Sequence, residues 1–154
     1  MMHLAQLNIA RPRFPLDDTR MAGFVDNLDR VNAVAERSPG FVWRLKGEGN
    51  DATDLRLEDD AEAIVNLSVW ETAEHLEHFV WNTIHKRIYQ RRAEWFPPLG
   101  RPHFVLWHVA VGHRPTVAEA KERLDHLAAH GSSDRAFGWE GLPHLKRWTQ
   151  ERCA

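Results

Sequence analysis

At 154 residues the chain is long enough for one domain with a proper core and short of what two ordinary domains need. Hydrophobic residues make up 43% and charged residues 27%, the balance of a globular chain, not a disordered one. A formal net charge of -2, with basic residues only in short clusters such as Arg11/Arg13 and Arg91-Arg92, argues against nucleic-acid binding; no segment has the length of a membrane span, and the single cysteine, Cys153, excludes an internal disulfide and thiolate zinc sites. No signal-peptide pattern follows Met1, so a cytoplasmic location is expected.

The first predicted strand, His3 to Ala10, puts Ala5, Leu7 and Ile9 on one face and Gln6 and Asn8 on the other. Asp17 or Asp18 then caps a helix carrying Phe24, Leu28, Val31 and Ala35 at helical spacing, which Ser38-Pro39-Gly40 stops. A second strand follows at Phe41 to Leu45. The acidic, glycine-containing stretch from Gly47 to Asp60 reads as a solvated loop. It leads to a third strand at Ala63 to Trp70, with Val65, Leu67 and Val69 on one face and Asn66, Ser68 and Trp70 on the other.

Thr72 caps a second helix with Leu76, Val80, Ile84 and Ile88 on one side, kinked or continuous to about Trp95 and ended by Pro97-Pro98. A fourth strand spans His103 to Val111. Thr116-Val117-Ala118-Glu119 has the pattern of a capping box, in which the two side chains satisfy each other's amides, and opens a third helix that ends near Gly131. Residues 1–131 therefore form the domain and 132–154 a tail, whose Phe137, Trp139, Leu142, Leu145 and Trp148 suggest packing on something.

This order predicts an α+β, ferredoxin-like βαββαβ unit: a four-stranded antiparallel sheet, both helices on one face, with an extra C-terminal helix and tail. The other face is then bare. The third helix, the tail or a second copy of the chain should cover it.

Together the segments His3-Leu4-Ala5-Gln6-Leu7-Asn8, Ser38-Pro39-Gly40-Phe41-Val42-Trp43-Arg44-Leu45, Val65-Asn66-Leu67-Ser68-Val69-Trp70-Glu71 and Gly112-His113-Arg114-Pro115-Thr116 resemble the bacterial domain-of-unknown-function family 3291. The resemblance covers the chain to about Phe137. That family is similar to the dimeric α+β barrel superfamily, which includes antibiotic-biosynthesis and haem-degrading monooxygenases. The resemblance implies a homodimeric α+β barrel with a pocket between sheet and helices, and no fixed reaction. In the haem-degrading relatives an asparagine on the first strand, a tryptophan around the third and a histidine on the second helix form the site; Asn8, Trp70 and His85 supply the same residue types in the same order, with a longer final spacing.

Among the residues themselves, Gln6, Asn8, Asn66, Ser68 and Trp70 share one sheet face, as polar groups that orient a ligand in an apolar cavity or as satisfied groups at an interface. Trp43 and Trp70 are candidates for the cavity wall, Trp95 and Trp107 for core. His78, Asn82, His85 and Tyr89 project together from the second helix, on a solvated face unless a kink turns His85 inward. His75/His78 and His126/His130 have the spacing of shared metal ligands but no third partner, so no metal site is expected.

The leading reading is a cytoplasmic homodimer that binds a small apolar or aromatic molecule in a sheet-face cavity, as a monooxygenase-like enzyme independent of cofactors. His85 or Asn66 would polarise substrate or move a proton, while Gln6, Asn8, Trp43, Ser68 and Trp70 bind it. Two alternatives stand beside it. One is a non-catalytic dimerisation or binding module; the other is a haem protein with His85 as axial ligand.

Overall fold

The structure, a computed structural model, describes residues 1–57 and 59–142; Leu145, Trp148 and Cys153 lie outside them. Strand β1 (Met2–Ala10) is central, paired antiparallel with β4 (Asp60–Trp70) on one side and β5 (Phe104–Ala110) on the other. With β2 (Phe41–Arg44) beyond β4, the order β2-β4-β1-β5 is that of the ferredoxin-like sheet. A two-residue strand, β3 (Arg56–Leu57), pairs with the start of β4, so the sheet has five strands where four were expected.

One sheet face buries Ala5, Leu7, Ile9, Val65, Leu67, Val69, Val105 and Trp107. The late helix, here α6 (Val117–His130), lays Ala120, Leu124 and Leu127 against that face, and Ala52 and Leu57 join the same core. The third helix, one of the three covers expected, thus lies on this face. The 47–60 stretch, expected as a solvated loop, keeps Glu48, Gly49 and Asn50 exposed but buries Ala52 and Leu57 and includes β3.

Thr116 caps α6 by accepting from the Glu119 amide at 3.1 Å, as the capping pattern predicts. The reciprocal half differs. The Glu119 carboxylate turns to the indole of buried Trp107, 2.9 Å, and to His113 Nε2, 2.7 Å.

The opposite face carries Leu4, Trp70 and Leu106 beneath α2 (Leu28–Arg37) and α3 (Ala73–Asn82), with Ala35, Leu76 and Phe79 packed between. The first predicted helix is segmented. Asp18 caps a 3-10 turn at Thr19–Met21, a short α1 (Ala22–Val25) follows, and the Asn27 side chain donates to the Gly23 carbonyl at 2.7 Å before α2 starts. Gly40 then turns the chain at φ 80°, where a Cβ would also collide with the His75 ring at 2.2 Å.

The second predicted helix is broken into α3, α4 (Ile84–Gln90) and α5 (Arg92–Trp95). Thr83 makes the first break: its backbone is extended, its hydroxyl donates to the Phe79 carbonyl at 2.6 Å, and the same oxygen caps α4 by accepting from the His85 amide. After Gly131 the chain stays with the fold. Phe137 exchanges two backbone hydrogen bonds with Leu106, 2.7 and 2.9 Å, on the outer edge of β5, and Ala136 and Phe137 are buried.

Candidate functional site

The register of β1 on β4 sets Gln6 opposite Ser68 and Asn8 opposite Asn66, all on the face beneath α2 and α3. Gln6 is the centre of a hydrogen-bonded ladder. Its Nε2 donates to Asn66 Oδ1 at 2.7 Å and to Ser68 Oγ at 2.8 Å, and its Oε1 accepts from Asn8 Nδ2 at 3.1 Å. Ser68 Oγ also accepts from the Trp70 indole at 3.0 Å. The five residues named from the sequence are thus joined by direct bonds.

Burial grades along the ladder. Trp70, Ser68 and Gln6 are buried, Asn8 is half-buried and Asn66 is exposed. The amide group of Asn66 and the carbonyl of Asn8 take no part in the ladder, so its open end presents one donor group and one acceptor to solvent. Phe104, in register with Asn8 on β5, stacks on Trp139 with ring centroids 5.4 Å apart and forms an aromatic wall beside that end. Neither ring was singled out as a site residue from the sequence; the pairing of Phe104 with Asn8 is the signal that would have found the first.

At the closed end a run of rings leads away from the sheet. Trp70 stacks on Phe79 at 5.2 Å and takes the edge of Phe41 at 5.5 Å; Phe79 meets His85 at 4.9 Å, and His85 stacks on Tyr89 at 6.1 Å. His85 therefore stands one ring away from the ladder and in no hydrogen bond with it. The break at Thr83 resets the helical phase and turns its imidazole inward, off the solvated face that a continuous helix would give it. Burial pushes its pKa down from 6.5 to about 4, with a small opposing effect from the Val80 carbonyl 3.3 Å from Nδ1. A carbonyl can only accept, so the proton of the neutral ring sits on Nδ1 and Nε2 keeps its lone pair.

Other expected members lie elsewhere. Trp43 is in register with Val69 and packs on the α6 face, on the far side of the sheet from Trp70. A bulge between Phe41 and Trp43 causes this, flipping the parity of β2 so that Arg44, opposite Ser68, is the residue that joins the ladder's face. Arg44 is buried and held by Glu36 at 3.3 Å and by the backbone and side chain of Asn50 at 2.5 and 2.9 Å. Trp95 and Trp107 are core, as expected.

Between the sheet and the helices, Phe79, Leu106, Phe137 and Trp70 pack into one cluster. A 490 Å³ groove runs along Arg56, Val117 and Lys121 and a 310 Å³ cleft lies beside His3, Thr72 and His108; neither touches Asn8, Asn66 or His85. Haem does not fit these residues. Trp70 is enclosed by Phe41 and Phe79, Asn8 is committed to Gln6, and aromatic rings flank His85, so no slot brings the three to a common ligand. Among the described residues no three His, Cys, Asp or Glu side chains converge as metal ligands, and no helix is long and apolar enough to cross a membrane.

The family described as Domain of unknown function (DUF3291) matches residues 3–153. Among solved structures, the chain is similar to NE2512, a protein of unknown function from Nitrosomonas europaea, at 11% identity and a TM-score of 0.49, covering 75% of this chain and 97% of that one. It is similar to SnoaB, a cofactor-independent oxygenase from Streptomyces nogalater, at 17% identity and a TM-score of 0.46 with the same coverage, 75% and 97%. PA3566 from Pseudomonas aeruginosa gives 11% identity and a TM-score of 0.47, again over 75% and 97%. No curated protein matches.

Proposed function

The chain belongs to the family Domain of unknown function (DUF3291), and from that premise, which assigns no reaction, we propose that it binds a small, uncharged, largely aromatic molecule at the open end of the ladder. The observation that carries this reading is the division of labour around Gln6. The buried amide spends both N–H groups and its carbonyl inside the fold, which fixes Asn8 and Asn66 in place, while their outer groups stay unspent at the surface beside Phe104 and Trp139. Rigidly held polar atoms beside an aromatic wall suit a flat ligand with one polar edge, because little side-chain entropy is lost when it binds.

Titration of 15N-labelled protein with 2-naphthol, following the side-chain amide signals of Asn8 and Asn66, tests it. Saturable shifts that vanish in Asn66→Ala are expected. Unmoved signals, or shifts that survive in Asn66→Ala, overturn the reading.

A second reading, cofactor-independent oxygenase-like chemistry, is supported by His85 alone. A half-buried imidazole with its proton on Nδ1 and its lone pair on Nε2 is a neutral base beside the rings of Phe79 and Tyr89. Oxygen consumption with an electron-rich phenol such as 2-naphthol, abolished in His85→Phe, would establish it; consumption that persists in the variant would dismiss His85 as the base.

A further inference from the structure

Helix α3 carries a pair of side chains that the ladder does not use. Trp81 is 8% exposed, belongs to neither core cluster, and its Nε1–H is buried with no acceptor. One helical turn earlier, Oε2 of half-buried Glu77 is buried with no donor. Side chains at i and i+4 start about 6 Å apart on one face of a helix. An unpartnered donor and an unpartnered acceptor therefore lie one turn apart on the same side of α3, and they make no bond to each other.

Leaving either group unpaired is costly, whereas a molecule that offers one donor and one acceptor satisfies both. Tyr89 of α4 sets the shape of the region. Its ring stands perpendicular to the Trp81 indole at 5.3 Å, so two aromatic planes form a corner. Its charge is set from two sides. Glu77 is an acid, but the indole N–H directs positive charge inward and the Arg92 guanidinium lies 4.0 Å over Tyr89. An ammonium group has no acceptor for the Trp81 N–H and would leave it stranded; a neutral amide has donors for Glu77 and a carbonyl for Trp81.

We infer that the corner formed by Glu77, Trp81 and Tyr89 is a binding site for a small neutral carboxamide, its N–H donating to Glu77 and its carbonyl accepting from Trp81. Glu77 is the way in. Only one of its oxygens is enclosed and the residue is half-buried, so the carboxylate spans the boundary between solvent and the corner. The site is independent of Asn8 and Asn66, and its fate does not depend on theirs.

The test uses the full chain with benzamide as probe and benzylamine as the cationic control. The indole Nε1–H signal of Trp81, identified by its loss in Trp81→Phe, should shift saturably with benzamide and stay still with benzylamine. Calorimetry should show benzamide affinity reduced about tenfold in both Trp81→Phe and Glu77→Ala, the loss of one hydrogen bond to a buried partner. Trp81→Phe retains most of the ring packing, so it reads the donor separately from folding. A response to benzylamine alone overturns the assignment of ligand class. No response to either probe overturns the site and leaves an ordered water as the group that satisfies the pair.

Discussion

Gln6 Nε2 lies 2.8 Å from Ser68 Oγ, between two residues that stand directly opposite each other on β1 and β4, and both are buried. Replacing Gln6 by Leu keeps the volume but removes the shared partner of Ser68, Asn66 and Asn8, from the buried end of the ladder outward. Urea denaturation should show Gln6→Leu destabilised by about 1 to 3 kcal/mol. Adding Ser68→Ala should cost less than Ser68→Ala does in the native chain, since the Gln6 bond is already gone and only the Trp70 indole then loses its acceptor. A double variant weaker than the single one by the full Ser68→Ala cost would show that the two residues act independently.

Asn66 bonds to the same Gln6 from the exposed end of the ladder, where water replaces what is lost. Asn66→Ala should change stability by no more than about 0.5 kcal/mol while abolishing the response to 2-naphthol. Loss of stability on the scale of Gln6→Leu would place Asn66 in the packing and remove it from the binding site.

The face shared by these residues was legible in the sequence because a strand has a period of two and nothing interrupts β1 or β4. Trp43 was not, since the bulge before it reverses the parity of β2. His85 projects to the solvated side only if one helix runs through Thr83; the extended Thr83 backbone restarts the phase, and the only trace in the sequence is a residue suited to capping in the middle of a helical run. The wall of Phe104 and Trp139 depends on where the chain goes after Gly131, a long-range contact that no local pattern encodes.

The His85 pKa falls from 6.5 in the unfolded chain to about 4 in the folded one, so between these values the unfolded state binds more protons. The stability due to the neutral ring is fully present above about pH 6.5 and is lost as the pH falls towards 4. Denaturation midpoints should drop over that window, and His85→Phe should flatten the profile. Part of the slope should persist, because burial and Arg92 also lower the pKa of His103. Asp60 acts in a separate window: its bond to Arg11 holds its pKa below 3.8, so its contribution is present above that value and is lost below it. An unchanged slope in His85→Phe would mean that the imidazole is not desolvated.

Leu124 of α6, the third expected helix, is buried against the sheet face for which that helix, the tail or a second copy of the chain was the expected cover. Leu124→Ala leaves a cavity there and should cost about 2 to 5 kcal/mol. If this face needs no cover beyond α6, the denaturation midpoint of the intact chain should be independent of protein concentration. A midpoint that rises with concentration would show that folding and association are coupled through another surface. If Leu124→Ala then shifted the association without lowering the stability of the isolated chain, the burial of the sheet by α6 would not be what holds this face.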